Sequence, residues 1–282
     1  MEQKKLTVLD IKAFKNSGKA ITSLTAYDYP WALLMDKAGL DIILVGDSLG
    51  MVVLGYDDTV AVTMDEMLHH LKAVTRAVER ALVVGDLPFG SYNVSIAKAV
   101  ENANRFMKEG KADCVKLEGG KNMAHVVEAI VKAGIPVQGH IGLTPQTVSA
   151  LGGYKVQGKS AQAAQVIIDD AKALEDAGCF SLVLEAITAP VARIITETVS
   201  IPTIGIGSGI HCDGQVLVTH DMLGLFDRFT PKFVKQYTKI SEIAATAITE
   251  FKTDVEKKKF PEEQHSFNLK PDEFKKIERN LK

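Results

Sequence analysis

Residues 42–48 read Ile-Ile-Leu-Val-Gly-Asp-Ser, an apolar run without alternation that ends in a glycine, an acid and a hydroxyl residue. Such a run is typical of a strand that is buried on both faces, as in parallel α/β folds. In those folds, ligands bind at the carboxyl ends of the strands. The stretch therefore predicts a parallel α/β protein in which Asp47 and Ser48 are placed for chemistry rather than for packing.

The same pattern, an apolar run followed by an acid, occurs three more times along the chain. The acids at the ends of these later runs are Asp86, Glu118 and Glu185. Any one of them has about even odds of simply capping the following helix. Four acids at matching positions instead predict that they converge on one acidic site.

Strand and helix signals alternate eight times, which favours a (βα)8 TIM barrel of the α/β class over an open sheet. Helix starts are marked by capping residues, for example the Thr63 and Glu66 pair of a capping box. No linker divides the chain, and its 46% hydrophobic content suits one large core. We predict a single domain with a leading N-terminal helix and a charged C-terminal tail. The barrel catalytic domain is expected over residues 1–255 and the C-terminal extension over 256–282.

Several finer predictions depend on single residues. They are a helix cap at Asn122, an active-site loop over 141–159, an eighth strand over 215–219 with His220 at its end, a long final helix from Pro231, and docking of Phe260 and Phe267 on the body or on a neighbour.

The formal net charge of −2, with basic residues spread along the chain, argues against a nucleic-acid partner or an anionic membrane. The three cysteines are far apart and form no C-x-x-C pair, which favours reduced thiols. The sequence has no signal-type segment and no apolar run of membrane-spanning length. We expect a cytoplasmic protein that acts on small molecules.

In a barrel, the four strand-end acids point into one small volume, where their charges repel each other and imply a bound cation. Oxygen ligands without a Cys or His cluster favour a hard ion, and Mg²⁺ is the first choice. Lys116 lies two residues before Glu118, on the same face of its strand, and is expected to reach the same volume.

The sequence leaves two interpretations open for each of two features. His140 ends the fifth predicted strand and either supports the acidic site through hydrogen bonds or contacts substrate directly. The segment Gly205-Ile206-Gly207-Ser208-Gly209 either forms a phosphate nest or makes a tight turn that lets a cosubstrate approach closely.

The chain also resembles a known family, ketopantoate hydroxymethyltransferase (3-methyl-2-oxobutanoate hydroxymethyltransferase), over nearly its whole length. The resemblance rests on long strings of residues. They are Thr25-Ala26-Tyr27-Asp28-Tyr29, Val45-Gly46-Asp47-Ser48-Leu49-Gly50, Asp86-Leu87-Pro88-Phe89, Val115-Lys116-Leu117-Glu118-Gly119-Gly120, Gly139-His140-Ile141-Gly142-Leu143-Thr144-Pro145-Gln146, Gly152-Gly153-Tyr154-Lys155-Val156-Gln157-Gly158 and Asp213-Gly214-Gln215.

The resemblance implies a Mg²⁺-dependent barrel enzyme of pantothenate and coenzyme A biosynthesis, assembled as a homodecamer. It implies transfer of a hydroxymethyl group from 5,10-methylenetetrahydrofolate to 3-methyl-2-oxobutanoate through a Mg-stabilised enolate, giving ketopantoate. The implied roles are Asp47, Asp86 and Glu118 at the metal; Asp47, Ser48, Asp86 and Lys116 at the oxoacid, with His140 a weaker candidate; and Glu185 as the proton acceptor.

Two other functions compete with this one. A carbon–carbon lyase or mutase of the phosphoenolpyruvate mutase and isocitrate lyase type also uses a Mg²⁺-bound oxoacid enolate on a barrel, but it needs no folate. A catalytically dead barrel kept as a scaffold predicts the loss of at least one acid from the site, whereas all four are present.

Overall fold

The computed structural model describes residues 4–148 and 153–281, and its centre is a closed barrel of eight parallel strands. Neighbours in sequence are neighbours in the barrel, and β8 closes it by pairing with β1. The strands are β1 Ile21–Thr25, β2 Ile42–Val45, β3 Leu82–Asp86, β4 Cys114–Glu118, β5 Val137–Gly142, β6 Ser181–Glu185, β7 Thr203–Ile206 and β8 Gly214–Leu217. The predicted (βα)8 TIM barrel is confirmed.

Helices surround the barrel, precede it and follow it. In chain order they are α1 Val8–Ser17, α2 Tyr29–Lys37, α3 Leu49–Val52, α4 Met64–Thr75, α5 Ile96–Lys108, α6 Ala124–Lys132, α7 Ala161–Asp176, α8 Ala189–Thr198, α9 Thr219–Met222, α10 Ile240–Glu256 and α11 Pro271–Asn280. Among the residues described, no helix is long and apolar enough to cross a membrane.

Local capping explains where several helices begin. The Thr63 side chain accepts from the backbone N–H of Glu66, whose own side chain accepts from the Thr63 backbone, so the predicted capping box starts α4. Thr7 caps α1 in the same way, and Gly18 ends that helix in the left-handed conformation that glycine adopts easily. The predicted leading helix is therefore confirmed.

The unbroken apolar runs of the strands have a simple cause, because both faces of each strand are buried. On β2, Ile43 and Val45 pack in the core between barrel and helices, whereas Ile42 and Leu44 pack in the core inside the barrel. Ile11 of α1 is fully buried in that inner core. Every second residue of a strand faces the inside of the barrel, so the last inward-facing residue of a strand lies at the carboxyl end of the barrel.

Two predictions about local structure were wrong. Asn122 does not cap a helix; its side chain accepts from Gly120 N–H in the preceding turn, and α6 has no side-chain cap. The eighth strand ends at Leu217, so His220 lies in α9 and not at a strand end. The reason is tertiary: Thr219 N–H donates to the Thr25 hydroxyl, and its hydroxyl donates to the Thr25 carbonyl.

The C-terminal region also differs from prediction. The last long helix, α10, starts at Ile240 rather than Pro231. Phe260 contacts Phe251 of α10 at a ring distance of 5.7 Å, as predicted for docking on the body, whereas Phe267 is fully exposed and its docking on a neighbour stays a prediction. Part of the predicted loop over 141–159 lies outside the described residues, and β5 extends to Gly142. The division between residues 255 and 256 stays a prediction.

Candidate active site

One cavity of about 430 Å³ opens at the carboxyl ends of the strands. All the predicted site residues line it: Asp47, Ser48, Asp86, Lys116, Glu118, His140 and Glu185. Strand geometry explains this, because Asp86, Glu118 and Glu185 are the last residues of β3, β4 and β6. The structure thus brings these residues together, while their individual roles stay predictions.

Lys116 is a buried cation at the centre of the site. Its Nζ lies 2.9 Å from Asp86 Oδ1 and 3.1 Å from His140 Nδ1. Burial lowers the pKa of Lys116, but the charges of Asp86, Glu118 and Asp47 more than compensate, so its pKa lies above the ordinary lysine value. The ammonium group therefore keeps its charge and balances part of the negative charge around it.

The acids of the site are held close to each other. Asp47 N–H donates to Asp86 Oδ2 at 3.2 Å. Burial raises the pKa of Asp86 to about 7, with Lys116 opposing that shift and the Asp47 charge adding to it. Burial and the Asp47 charge also hold the pKa of Glu118 well above its usual range. Asp47, Asp86 and Glu118 together therefore carry more negative charge than Lys116 can balance.

His140 connects Lys116 to Glu185. Because an ammonium group can only donate, Nδ1 of His140 accepts from Lys116 and Nε2 carries the ring proton. Nε2 lies 3.2 Å from Glu185 Oε2, although this pair lacks the angle of a hydrogen bond. Burial and the Lys116 charge hold the pKa of His140 well below its ordinary value, so the ring is neutral.

Glu185 lies at the edge of this group and keeps contact with solvent, with its side chain 15% exposed. Burial raises the pKa of Glu185 to about 7, opposed by the charge of Lys116. A carboxylate with a pKa near neutrality is suited to accept a proton in one step and release it in another.

Two residues of the site, Gln146 and Tyr92, were not predicted from the sequence. The Gln146 backbone N–H donates to Glu118 Oε2 at 3.1 Å, and its Nε2 donates to Asp47 Oδ2 at 2.9 Å. Its Oε1 accepts from the buried Tyr92 hydroxyl at 2.6 Å. Gln146 thus links two acids of the site. The only sequence signal for Gln146 was its place in the family-specific string that begins at Gly139. Its contact with Asp47 could not be predicted, because the two residues are 99 positions apart in the chain.

Ser48 is half-buried at the rim of the acidic group. Its hydroxyl lies 2.8 Å from the hydroxyl of buried Tyr27. This contact leaves Ser48 able to donate to or accept from a bound oxoacid.

The structure favours the tight-turn interpretation of residues 205–209. The buried Ser208 hydroxyl donates to the Leu184 carbonyl and accepts from Ile187 N–H, which fixes the turn against the end of β6. Gly207 has a φ of 67°, and a Cβ there would come within 2.7 Å of the Phe233 ring. A side chain at this position would therefore displace the cavity wall.

Mg²⁺ fits the donors of the site. Within the described residues, no group of three or more His, Cys, Asp or Glu side chains is arranged as a full ligand set. Mg²⁺, however, usually binds one or two carboxylates and takes its other ligands from water and substrate. Asp86 Oδ1 is buried 2.9 Å from Lys116 Nζ and makes no hydrogen bond with any described residue, and the Asp47 backbone N–H donates to Asp86 Oδ2. Asp47 and Asp86 are therefore adjacent carboxylates that could hold the ion.

Solved structures share the fold. A phosphonopyruvate hydrolase solved with oxalate and Mg²⁺ superposes with a TM-score of 0.61 at 12% identity, covering 98% of this chain and 96% of the other. A phosphoenolpyruvate phosphomutase from Streptomyces platensis subsp. rosaceus gives 0.61 at 15% identity, covering 98% and 99%. At such identities the likeness concerns the barrel fold alone.

Sequence comparison is far more specific. A protein from Oleidesulfovibrio alaskensis named 3-methyl-2-oxobutanoate hydroxymethyltransferase is 59% identical over 99% of this chain and 96% of its own length. One of the same name from Carboxydothermus hydrogenoformans is 57% identical over 97% and 99%. The sequence model described as ketopantoate hydroxymethyltransferase matches residues 5–263. The resemblance is thereby confirmed, and the chain belongs to the ketopantoate hydroxymethyltransferase family.

Proposed function

We propose that this protein transfers a hydroxymethyl group from 5,10-methylenetetrahydrofolate to 3-methyl-2-oxobutanoate and releases ketopantoate, as a step of pantothenate and coenzyme A biosynthesis. Family membership supports the overall reaction, since the relatives carry the name of that enzyme. The observation that carries the proposal is the position of Glu185. This carboxylate, with its pKa raised to about 7, shares one cavity with Lys116 and the buried acids.

The oxoacid has a carboxylate and a neighbouring keto oxygen, so it needs positive charge. Asp47 and Asp86 would hold Mg²⁺, with Glu118 close by, and the Ser48 hydroxyl would contact the substrate carboxylate. When bound, Mg²⁺ supplies charge that polarises the keto group and acidifies the neighbouring C3–H bond.

The Glu185 carboxylate removes the C3 proton of the oxoacid. Because burial weakens its solvation, it is a stronger base than an exposed glutamate. The His140 ring beside it is neutral, with Nε2 3.2 Å from Oε2, so it packs against the carboxylate without neutralising its charge.

Loss of the C3 proton leaves an enolate, whose oxygen the Lys116 ammonium stabilises. Lys116 is already positioned by Asp86 and His140, so little reorganisation is needed as charge develops. Water first opens the methylene bridge of the folate: its oxygen bonds to the one-carbon unit, the C–N10 bond breaks and N10 takes a proton. The C3 carbon then bonds to this hydroxymethyl carbon as its bond to N5 breaks, N5 takes the proton held by Glu185, and tetrahydrofolate leaves.

Deuterium exchange at C3 of 3-methyl-2-oxobutanoate, followed by NMR, tests the proposal. The rate should depend on Mg²⁺ and vanish with EDTA, and addition of methylenetetrahydrofolate should convert exchange into ketopantoate formation. Absence of both exchange and product in Mg²⁺ would contradict the proposed reaction.

The lyase or mutase alternative has only fold likeness in its favour, because the superposed enzymes of that type share 10–16% identity with this chain. It predicts cleavage of an oxoacid without folate. The scaffold alternative predicts neither exchange nor cleavage, so the same NMR experiment separates the three functions.

Two further parts of the proposal follow from the family resemblance and composition: a homodecamer and a cytoplasmic location. Light scattering on the protein as it elutes from a size-exclusion column should give a mass ten times that of one chain. A smaller particle at working concentration would remove the decamer from the proposal.

A further inference from the structure

The cavity extends well beyond the acidic group. Its outer part is lined by Phe226, Phe229 and Phe233, by Tyr154 and by a fifth acid, Asp221. A five-carbon oxoacid bound at the inner carboxylates leaves this part free. The outer part is thus a second compartment of the same site, open to a larger, flat molecule.

Asp221 is the unusual member of this compartment. It is only 9% exposed, and its carboxylate makes no hydrogen bond or ion pair with any residue in 4–148 or 153–281. Burial raises the pKa of Asp221 to about 6, and no neighbouring cation lowers it. Neither carboxylate oxygen is among the sealed polar atoms of the described residues, and Asp221 lines the cavity, so the donors of a bound ligand can reach it.

The backbone holds Asp221 rigidly in this place. Thr219, two residues earlier, is tied to Thr25 by two hydrogen bonds, and Phe226 N–H donates to the His220 carbonyl. The carboxylate therefore lies in a wall that exists before ligand binds.

The aromatic wall is equally well supported. The rings of Phe226 and Phe229 meet edge to face at 5.6 Å. Between them in sequence, the Arg228 guanidinium donates to the carbonyls of Gly55 and Tyr56, which anchors this segment across the cavity mouth. These rings offer faces and edges on which a flat heterocycle can stack.

A flat ring with two adjacent N–H donors would satisfy both the aromatic wall and the lone carboxylate. Of the two substrates in the proposed reaction, only the folate has such a group, because its pterin carries N3–H beside a 2-amino group. We propose that Asp221 binds the N3–H and 2-amino edge of the pterin of 5,10-methylenetetrahydrofolate, with the ring packed among Phe226, Phe229 and Phe233. This inference rests on the proposed function and assigns its second substrate a site.

Binding at this position has a consequence for the reaction. The same cavity is lined by Glu185 and the other predicted oxoacid residues. In the proposed pose, the reduced ring and its one-carbon unit face these residues while the other edge of the pterin faces Asp221. The pterin edge held by Asp221 and the reacting carbon lie at opposite ends of the bicyclic ring.

The test compares Asp221→Asn with Asp227→Asn. Asn cannot offer two acceptors, whereas Asp227 is an exposed residue of the same segment outside the cavity and is a control for the lost charge. In Asp221→Asn, tetrahydrofolate should bind about 10- to 100-fold more weakly by calorimetry, the range for losing a charge-assisted pair of hydrogen bonds. Asp227→Asn should bind like the parent, and equal affinity in all three proteins would overturn the proposal.

A second measurement uses the unaltered protein and so does not depend on whether the variant folds. An analogue in which a methyl group replaces the 2-amino group should bind about 10- to 100-fold more weakly than tetrahydrofolate. Equal binding would exclude Asp221 as the pterin contact.

Failure of the site and failure of the reaction have different signatures. At limiting folate, Asp221→Asn should lose transfer by a larger factor than it loses folate-independent C3 exchange. If Asp221→Asn loses transfer and exchange by the same factor, the pterin assignment is overturned. If the parent protein shows no exchange, the proposed function is contradicted, but folate binding can still be tested by calorimetry.

Discussion

The acids at the two ends of the barrel lie in opposite electrostatic environments. At the amino end, aspartates come directly before strands and each is paired: Asp41 with Lys19 and Arg80, Asp113 with Lys5, and Asp213 with Lys15. At the carboxyl end, acids at or just after strand ends outnumber the cations near them, with Lys116 as their shared partner. One end is built for stability, and the other keeps charge available for a ligand.

Asp41 and Asp86 show the difference most directly, since they are 2% and 1% exposed. Burial raises the pKa of both. For Asp41, Lys19 and the Thr22 donors outweigh burial, and its pKa falls below the usual value. For Asp86, Lys116 does not outweigh burial, and the pKa rises to about 7. Similar exposure of two acids therefore does not predict their pKa, because the depth of burial and the partner atoms also differ.

The largest expected effect comes from Glu185→Gln at the carboxyl end. Removal of the proton acceptor should lower the rate of C3 exchange by about 10²- to 10⁴-fold, the usual contribution of a general base. The free energy of unfolding should stay the same or increase, because a poorly compensated buried carboxylate is removed.

The matched control is Glu197→Gln, an exposed acid of α8. It should exchange at the parental rate. Retained exchange in Glu185→Gln, measured by NMR beside this control, would remove Glu185 from the role of base.

The next largest effect should be the pH dependence of C3 exchange, which reports on Glu185 at the carboxyl end. With a pKa of about 7, Glu185 is mostly ionised at pH 8 and about 1% ionised at pH 5, so exchange should rise about 100-fold over this range. A rate that is flat between pH 5 and 8 would contradict the assignment.

Stability should respond to pH with opposite signs at the two ends. The native state binds the Glu185 proton more tightly than the unfolded chain does, so in metal-free protein this group's contribution falls as pH rises from about 4.5 to 7. The contribution of Asp41, whose native pKa is lowered, is complete above about pH 4 and is lost as pH falls further. Urea unfolding of the parent and of Asp41→Asn across this range measures the difference.

Gln146→Ala tests whether the acidic group is positioned by its neighbours. Loss of the links to Asp47 and Glu118 should weaken Mg²⁺ affinity by about 10- to 100-fold, as is usual for residues that orient metal ligands. Mg²⁺ titration of exchange activity gives the affinity. Gln165→Ala, an exposed glutamine of α7, is the control, and an unchanged Mg²⁺ requirement in Gln146→Ala would contradict the role.

The smallest effect on activity should come from the amino end. Asp41→Asn removes the partner of Lys19 and Arg80 and should lower the free energy of unfolding by about 2 kcal/mol, since both cations reach solvent and recover part of the loss. C3 exchange should stay at the parental rate. A loss of exchange comparable to that in Glu185→Gln would show that the two ends are not independent.

Much of the fold and site could be predicted from the sequence because the signals are local. The run before Asp47 identifies a strand buried on both faces, and the Thr63 box identifies a helix start. The prediction failed at Asn122 and His220, where nearby turns and a hydrogen bond to β1 override the local pattern. The role of Gln146 could not be predicted, because its side chain and backbone contact acids that are remote in sequence.

The sequence by itself determined which side chains reach the carboxyl end of the barrel. Strand alternation and the repeated position of the acids are local properties, and a closed parallel barrel converts them into a common location. Only the tertiary structure decided how each acid behaves there. Lys19 and the Thr22 donors outweigh burial and lower the pKa of Asp41, whereas burial raises the pKa of Asp86, Glu185 and Asp221. These outcomes need the tertiary structure because electrostatic energy depends on distance and burial rather than on order along the chain.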